Sequence, residues 1–245
     1  MTATTETYTT DKKITNQPHD KFFGRRKGKP LTKASKERFE SILPSISITV
    51  NEDTIFNADA LFQTEVKTLW FEVGFGGGEH MVWLAQKNPD VSIIGCEPYM
   101  NGTAKLLRDI EDDDIKNIRI YPDDARHIME KMDDASLDKA FALFGDPWRK
   151  YRHRERRFIG NDNLNRFARI LKDGAILRIA TDHSIYLQWI LRWAPVHPDF
   201  EWLDEGPQDW ATRKDDWPET RYERKALREG RKSSYLTFKR KPRST

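Results

Sequence analysis

The stretch that decides the fold is KTLWFEVGFGGGEH, from Lys67 to His80. It begins with an apolar run, Leu69 to Val73, which is interrupted only by Glu72 and has the length of a buried strand rather than a buried helix. Four glycines follow, and then Met81 to Ala85 has a helix-compatible composition. Strand, glycine turn and helix in this order predict the ligand-binding corner of an open α/β sheet, where ligands lie beyond the carboxyl ends of the strands.

The glycine turn narrows the choice of cofactor. The dinucleotide fingerprint G-x-G-x-x-G does not fit, because its third glycine would fall on a glutamate or a methionine. The pattern present is E-x-G-x-G-x-G, which begins at Glu72 and places its glycines at Gly74, Gly76 and Gly78. This pattern resembles the first motif of class I S-adenosylmethionine-dependent methyltransferases. The alternative is a structural glycine turn with two solvated acids, Glu72 and Glu97.

Two further acids follow predicted strands. The apolar run Val91 to Cys96 predicts the next strand, and Glu97 at its end can accept hydrogen bonds from both hydroxyls of a ribose. Asp124 follows the predicted strand Ile118 to Tyr121, where a carboxylate can accept from an adenine amino group. Because Asp124 directly precedes a predicted helix, N-capping of that helix is its alternative role.

Length and composition indicate one sizeable α/β domain with additions. The chain has 245 residues, of which 37% are hydrophobic and 33% charged, and no apolar stretch approaches the length of a transmembrane helix. The N-terminus lacks the apolar region of a secretory signal, and Cys96 is the only cysteine, so we expect a cytoplasmic protein without an intrachain disulfide. No Cys or His spacing suggests a metal site.

Basic charge is concentrated in three segments, although the net charge is only +3. Lys and Arg outnumber Asp and Glu by ten to five in residues 1–44, by six to one in 149–157 and by ten to two in 221–243. Any one such run could be a solvated face, but three together are typical of a protein that binds nucleic acid. We therefore expect an RNA partner.

The order of the chain predicts three parts. Residues 1–30 form a basic, flexible N-terminal arm, residues 31–66 a helix and a connection with a short strand at Ile46–Val50, and residues 67–245 the main domain. The main domain alternates strands and helices, which predicts a mostly parallel sheet flanked by helices. Further strands are expected at Leu137–Phe144, Ala175–Thr181 and Ser234–Phe238, and residues 194–220 are expected to be irregular.

The strand ending at Phe144 delivers the segment that carries the chemistry. Gly145-Asp146-Pro147-Trp148 is followed by a dense basic run up to Arg157. The indole offers a stacking face for a base, and the Lys and Arg side chains supply phosphate contacts. This stretch closely resembles the F-P-D-P-W-x-K-x-R-H-x-K-R-R pattern of the bacterial tRNA (guanine-N7-)-methyltransferases of the TrmB type.

The resemblance spans roughly residues 69–238 and rests on five motifs in the same order. Besides the two motifs already described, it includes the strand acid Glu97, A-T-D at Ala180–Asp182 and T-x-[FY]-E at Thr220–Glu223. It implies the class I methyltransferase fold with a seven-stranded sheet, S-adenosylmethionine as cofactor, and methylation of guanine-46 in the variable region of tRNA. It leaves open whether the protein is a monomer or a homodimer.

The resemblance also implies roles for individual residues. Asp146 matches the position considered catalytic. Matching cofactor-binding positions are Glu72, Gly74, Gly76, Gly78, Glu97, Asp124 and Asp146. Matching substrate or RNA-binding positions are Lys150, Arg152, His153, Arg154, Arg156, Arg157, Asp182, Thr220, Arg221, Tyr222 and Glu223. Two departures stand out: Gly145 replaces a proline, which loosens the backbone before Asp146, and Glu155 replaces a usually basic residue.

Chemistry constrains the mechanism that the resemblance implies. Guanine N7 carries a lone pair and no proton, so methylation needs no general base, and a carboxylate can stabilise the cation that develops. We expect Asp146 to supply that carboxylate, and Asp182 and Glu223 to accept hydrogen bonds from the N1/N2 edge of the guanine. Two alternatives are a methyltransferase that acts on another base atom and a non-catalytic tRNA-binding protein on a methyltransferase scaffold.

Overall fold

A computed structural model describes residues 21–243, except for the side chain of residue 222. The strands are β1 (Leu69–Val73), β2 (Ser92–Cys96), β3 (Ile118–Tyr121), β4 (Leu137–Leu143), β5 (Leu171–Thr181), β6 (Phe200–Trp202) and β7 (Ser234–Arg240). The α-helices are α1 (Lys33–Ser41), α2 (Leu43–Ile46), α3 (Ala58–Phe62), α4 (Glu79–Lys87), α5 (Met100–Asp112), α6 (Ala125–Met129), α7 (Asn161–Ile170), α8 (Ser184–Trp193), α9 (Pro207–Ala211) and α10 (Arg221–Arg228). A 3₁₀-helix spans Tyr151–Arg156.

All seven strands form one sheet, in the order β3-β2-β1-β4-β5-β7-β6. Strands β1 to β5 are parallel, and β7 lies antiparallel between β5 and β6. The strand order reverses between β1 and β4, since the chain builds outward from β1 to β3 and then returns to the other side of β1. A crevice at the carboxyl ends of β1 and β4 is therefore the expected ligand site. The predicted seven-stranded, mostly parallel sheet is confirmed.

Apolar residues cover both faces of the sheet. Neighbouring residues Ile93 and Ile94 of β2 are fully buried in two different clusters, one on each face, because successive strand residues point in opposite directions. Every residue of β2 is buried. A strand covered by helices on both sides needs such a continuous apolar run, and this is why the sequence pattern of β1 and β2 predicts them well.

The structure differs from the sequence-based assignment in three places. The strand expected at Ile46–Val50 is reduced to one bridge, between Ser47 and Ile120. Strand β5 begins four residues earlier than expected, because the residues up to Gly174, which has a φ of 81°, form a bulge within the strand and do not interrupt it. Residues 194–220, expected to be irregular, contain β6 and α9.

The length and hydropathy of the helices decide whether any of them could cross a membrane. In the described part of the chain, no helix combines the length and the apolar character that crossing a bilayer requires.

Candidate active site

A cavity of roughly 660 Å³ opens where β1, β2 and β4 end. Its walls include the glycine turn after β1, the residues that follow β2 and β3, and the segment after β4. Six of the predicted cofactor-binding or catalytic residues line it: Glu72, Gly74, Gly76, Glu97, Asp124 and Asp146. The structure thus brings together acids that lie far apart in the sequence.

Glycine is required both within the glycine turn and in the helix that packs on it. Gly74, Gly76 and Gly78 all have positive φ angles, of 70°, 56° and 82°, which other residues rarely adopt. In addition, Gly102 in α5 packs directly on the turn, and a Cβ at Gly102 would lie 2.1 Å from the carbonyl oxygen of Gly76. Sequence reasoning missed Gly102, because its role depends on a contact between two distant elements.

Glu97 fastens the glycine turn from the end of β2. One carboxylate oxygen accepts from the backbone N–H of Gly76 and the other from that of Tyr99, both at 2.8 Å. Burial raises the pKa of Glu97 to about 7, and the nearby carboxylates of Asp146 and Glu72 add to the increase, whereas the two hydrogen bonds oppose it. Each oxygen keeps a second lone pair, which could accept from a ribose hydroxyl.

Glu72 lies beneath the turn and is 2% exposed. Its Oε2 atom is 2.6 Å from Nδ1 of His80, which stands in the first turn of α4 and is equally buried. His80 also lines the cavity.

Asp124 takes up the role that its alternative interpretation predicted. Its side chain accepts from the backbone N–H of Arg126 and so caps α6, and it also binds the guanidinium of Arg126. Asp124 lines the cavity as well, so its contact with a cofactor stays a prediction. Such a contact has to compete with the bonds to Arg126.

Asp146 lies between two residues with unusual backbone conformations. Phe144 and Trp148 have φ angles of 52° and 41°, in a region that costs free energy for residues other than glycine and that is often found at functional sites. Asp146 itself lines the cavity, and partial desolvation raises the pKa of its carboxyl. No side chain or N–H among residues 21–243 donates to its carboxylate.

Arg157 holds the backbone of this segment in place. Its guanidinium donates to the carbonyl oxygens of Pro147 and Trp148, at 2.8 and 3.2 Å, and packs on the ring of Trp189. Arg157 is buried, at 8% exposure, so the structure disagrees with its predicted place among the RNA contacts. The sequence alone does not distinguish it from the neighbouring arginines, because only tertiary packing turns it inward.

The rest of the basic run follows the sequence interpretation more closely. Lys150 and Arg152 are exposed, and His153, Arg154 and Arg156 are partly exposed along or beside the 3₁₀-helix. Desolvation and the neighbouring cations lower the pKa of His153. Glu155 forms an ion pair with Arg154 at 2.9 Å.

A second, more open cleft also borders the segment after β4. It is lined by Asp146, Pro147, Trp148, Arg149, Lys150, His153 and Ile185. Asp146 and Trp148 line both this cleft and the cofactor cavity. The carboxylate of Asp146 therefore stands where the cavity meets a basic surface.

Residues 21–29, which the sequence assigns to the N-terminal arm, lie against the cavity. Phe23 contacts the ring of Trp148 edge-on, and the guanidinium of Arg156 lies 4.2 Å from the centroid of Phe23. Arg26 forms an ion pair with Asp123 at 2.7 Å. This cavity-side segment, residues 21–29, thus touches both the cofactor side and the basic side of the site, whereas residues 1–20 of the arm lie outside the described residues.

The remaining predicted substrate residues form two clusters. Asp182 is paired with Arg231 through its Oδ2 atom. Thr220 caps α10, and Glu223 closes the capping box by accepting from the Thr220 N–H at 3.3 Å. Thr220 lines the cofactor cavity, while Arg221 lies 3.8 Å from Glu79.

The side chain of Glu223 is not accessible to a substrate. It is buried, and its Oε1 atom accepts from the hydroxyl of Tyr235 and forms an ion pair with Nε of Arg213 at 3.1 Å. The expectation that Glu223 contacts the guanine edge therefore conflicts with this placement. The side chain of Tyr222 lies outside the described residues.

The arrangement fits one cofactor class. The cavity combines a glycine turn, an acid after β2 that can accept from a ribose, and further acids that can attract a sulfonium, and S-adenosylmethionine requires these features. Within residues 21–243 no group of three or more His, Cys, Asp and Glu residues is arranged for a metal ion. A model of a putative methyltransferase family matches residues 66–236. The 16S rRNA methyltransferase KamB aligns to 79% of this chain and 99% of its own, with a TM-score of 0.51 and 14% identity. This fold and site define a class I S-adenosylmethionine-dependent methyltransferase.

Relatives in sequence identify the family. The tRNA (guanine-N7-)-methyltransferase of Rhodospirillum rubrum is 43% identical over 227 residues, which cover 91% of this chain and 89% of that protein. That of Rhizobium meliloti is 45% identical over 219 residues, covering 89% and 94%. The chain belongs to the tRNA (guanine-N7-)-methyltransferase family, as the motif resemblance implied.

Proposed function

We propose that this protein transfers the methyl group of S-adenosylmethionine to N7 of a guanine in tRNA. The observation that carries the proposal is the position of Asp146 and Trp148, which border both the cofactor cavity and the open basic cleft. A methyl donor in the cavity and a nucleotide in the cleft would meet at this segment.

Asp146 supplies the charge that the reaction needs. The cofactor, when bound, provides a methyl group on a positively charged sulfur, and methylation moves that positive charge onto the purine ring. A carboxylate that none of residues 21–243 neutralises stabilises such a cation, more strongly where water is partly excluded. The raised pKa of Asp146 reflects this partial desolvation. Positioning of the two reactants accounts for the rest of the rate enhancement.

The basic run provides affinity for the tRNA backbone. We assign phosphate contacts to Lys150, Arg152, Arg154 and Arg156, with His153 in the wall of the cleft. Their contribution is expected to fall as salt rises, because each phosphate contact releases counterions. The role assigned to Arg157 is to fix the backbone that carries Asp146 and Trp148, by donating to the carbonyl oxygens of Pro147 and Trp148.

Recognition of the guanine is assigned to Asp182, which Thr220 at the cavity supports. Only one oxygen of Asp182 is engaged by Arg231, so its other oxygen can accept from a guanine N–H. Glu223 acts indirectly, because it holds the first turn of α10 and thereby places Thr220 at the cavity. We further propose guanine-46 of the variable region as the target and the cytoplasm as the location.

The test is methyl transfer from labelled S-adenosylmethionine to bulk tRNA. Borohydride reduction and aniline cleavage then locate N7-methylguanine, and a single cut in the variable region is expected. Transfer without a cut would contradict methylation at N7, and tRNA binding without transfer would favour a non-catalytic RNA-binding protein.

A matched pair of variants tests Asp146. Asp146→Asn keeps the shape of the side chain and removes the charge, so kcat is expected to fall by about 100- to 1,000-fold. Asp112→Asn makes the same change on the exposed surface of α5 and should leave kcat within twofold. Near-normal turnover of Asp146→Asn would remove Asp146 from the mechanism.

A further inference from the structure

The pair formed by Glu72 and His80 spans the glycine turn. Glu72 is the fourth residue of β1, and His80 is the second residue of α4, so the hydrogen bond joins the strand to the helix across the turn. Both side chains are almost fully buried, at 2% and 3% exposure, and both line the cofactor cavity. A short contact of 2.6 Å under these conditions fixes the two groups relative to each other.

The chemistry of the pair determines which atom donates. Attraction of a cationic cofactor group requires the Glu72 carboxylate to be ionised; an ionised carboxylate can only accept, and Nδ1 of His80 is then the donor in this bond. The other ring nitrogen, Nε2, is buried and has no hydrogen-bond partner in the described part of the chain. Glu72 is therefore the one polar contact that the described residues give the His80 ring.

Packing alone does not account for a histidine at this position. The ring lies edge-on to Phe141, at a centroid distance of 4.9 Å, and faces the buried indole of Trp217 at 6.3 Å. A phenylalanine would suit an aromatic wall of this kind and would not leave a nitrogen buried without a partner, which costs free energy. The imidazole thus contributes something that a purely apolar ring cannot, and its bond to Glu72 is the contribution visible in the structure.

Glu72 depends on this bond for its orientation. No other hydrogen bond to the Glu72 carboxylate is formed by residues 21–243, so His80 alone fixes which way the carboxylate turns. Since His80 engages Oε2, Oε1 stays available to the cavity. S-adenosylmethionine offers two cationic groups, its ammonium and its sulfonium, and either is attracted by a carboxylate held in this way.

We propose that His80 is a positioning residue for cofactor binding: it donates to Oε2 of Glu72 and so presents Oε1 to a cationic group of the cofactor. His80 acts through Glu72 and does not touch the reacting atoms. The proposal rests on S-adenosylmethionine as the cofactor, but it does not depend on which atom of which RNA is methylated.

The test compares two replacements of His80 in the full-length protein. His80→Phe keeps an aromatic ring and removes the donor. His80→Asn places an amide N–H where Nδ1–H stands, because both groups are attached at the γ position. The Kd for S-adenosylmethionine, which carries both cationic groups, is measured by calorimetry, and the melting temperature of the ligand-free protein is measured in parallel.

His80→Phe is expected to weaken binding by about 10- to 100-fold, the range for a hydrogen bond to a charged group. His80→Asn should stay within about threefold of the unchanged protein. The double variant Glu72→Gln with His80→Phe should bind no more weakly than Glu72→Gln alone, because both changes remove the same interaction.

Two results would overturn the proposal. One is an unchanged Kd in His80→Phe with a lowered melting temperature, which would mark His80 as structural only. The other is an effect in the double variant equal to the product of the single effects, which would mean that His80 acts independently of Glu72. If tRNA were not methylated at N7, these binding results would still stand, so failure of the proposed function is distinguishable.

Discussion

Replacing Glu97 with glutamine tests how the cavity uses charge to bind its cofactor. With a pKa of about 7, Glu97 is roughly one tenth ionised at pH 6 and nine tenths ionised at pH 8. A carboxylate can accept from both ribose hydroxyls while it holds the backbone N–H groups of Gly76 and Tyr99. A glutamine amide has only one acceptor oxygen, so it cannot make the same set of bonds.

These numbers predict a specific pH profile. At pH 8 the Glu97→Gln variant should bind S-adenosylhomocysteine about 10- to 100-fold more weakly than the unchanged protein. At pH 6 most Glu97 side chains are protonated and resemble glutamine, so the difference should shrink by about tenfold. The measurement is the ratio of the two Kd values by calorimetry at pH 6, 7 and 8. Because the ligand titrates equally in both experiments, its own protonation cancels in the ratio.

A ratio that stays constant within twofold from pH 6 to pH 8 would refute this reasoning. A second measurement checks the same pKa without ligand. Between pH 4.5 and 7 the unfolded chain has lost the Glu97 proton while the folded chain retains it, so the free energy of unfolding falls as pH rises. Relative to Glu97→Gln, the unchanged protein should lose up to about 3 kcal/mol across this range.

Two further predictions concern the segment after β4. Gly145→Ala should raise the free energy of unfolding by about 0.4–1 kcal/mol in chemical denaturation, because a Cβ there would meet Tyr186 at an ordinary distance of 3.5 Å and would restrict the unfolded chain; a loss of stability would contradict this. Arg152→Ala should weaken tRNA binding and lower by about one the slope of the logarithm of the binding constant against the logarithm of salt concentration. Arg157→Met should instead reduce kcat at saturating tRNA and change that slope little. Equal salt slopes in both variants would place Arg157 at the RNA after all.

The elements predicted well from the sequence are those that local patterns determine. The apolar run of β1, the glycine turn and the acid after β2 lie close together along the chain, and each has a residue requirement that is visible without the fold. The same holds for the capping position of Asp124, which follows from its place directly before α6.

The features that sequence reasoning missed depend on contacts between distant elements. Gly102 is required only because α5 packs on the turn at Gly76. The resemblance places Arg157 and Glu223 among the substrate or RNA-binding residues, but Arg157 turns inward to the backbone of the segment after β4 and Glu223 to Tyr235. His80 carries no signal of its own in the sequence, since its role appears only when the turn brings it to Glu72.

Two contacts between distant parts of the described chain determine the order in which its elements can fold during synthesis. Strand β7, the last strand along the chain, lies between β5 and β6, so β6 has no place in the sheet until β7 has been synthesised. At the other end, the cavity-side segment docks on partners such as Asn101, 73 residues after Gly28. During synthesis these early residues must therefore wait for their docking surface. A nascent chain that carries the glycine turn and Glu97 but not yet β7 therefore lacks the strand on which β6 pairs.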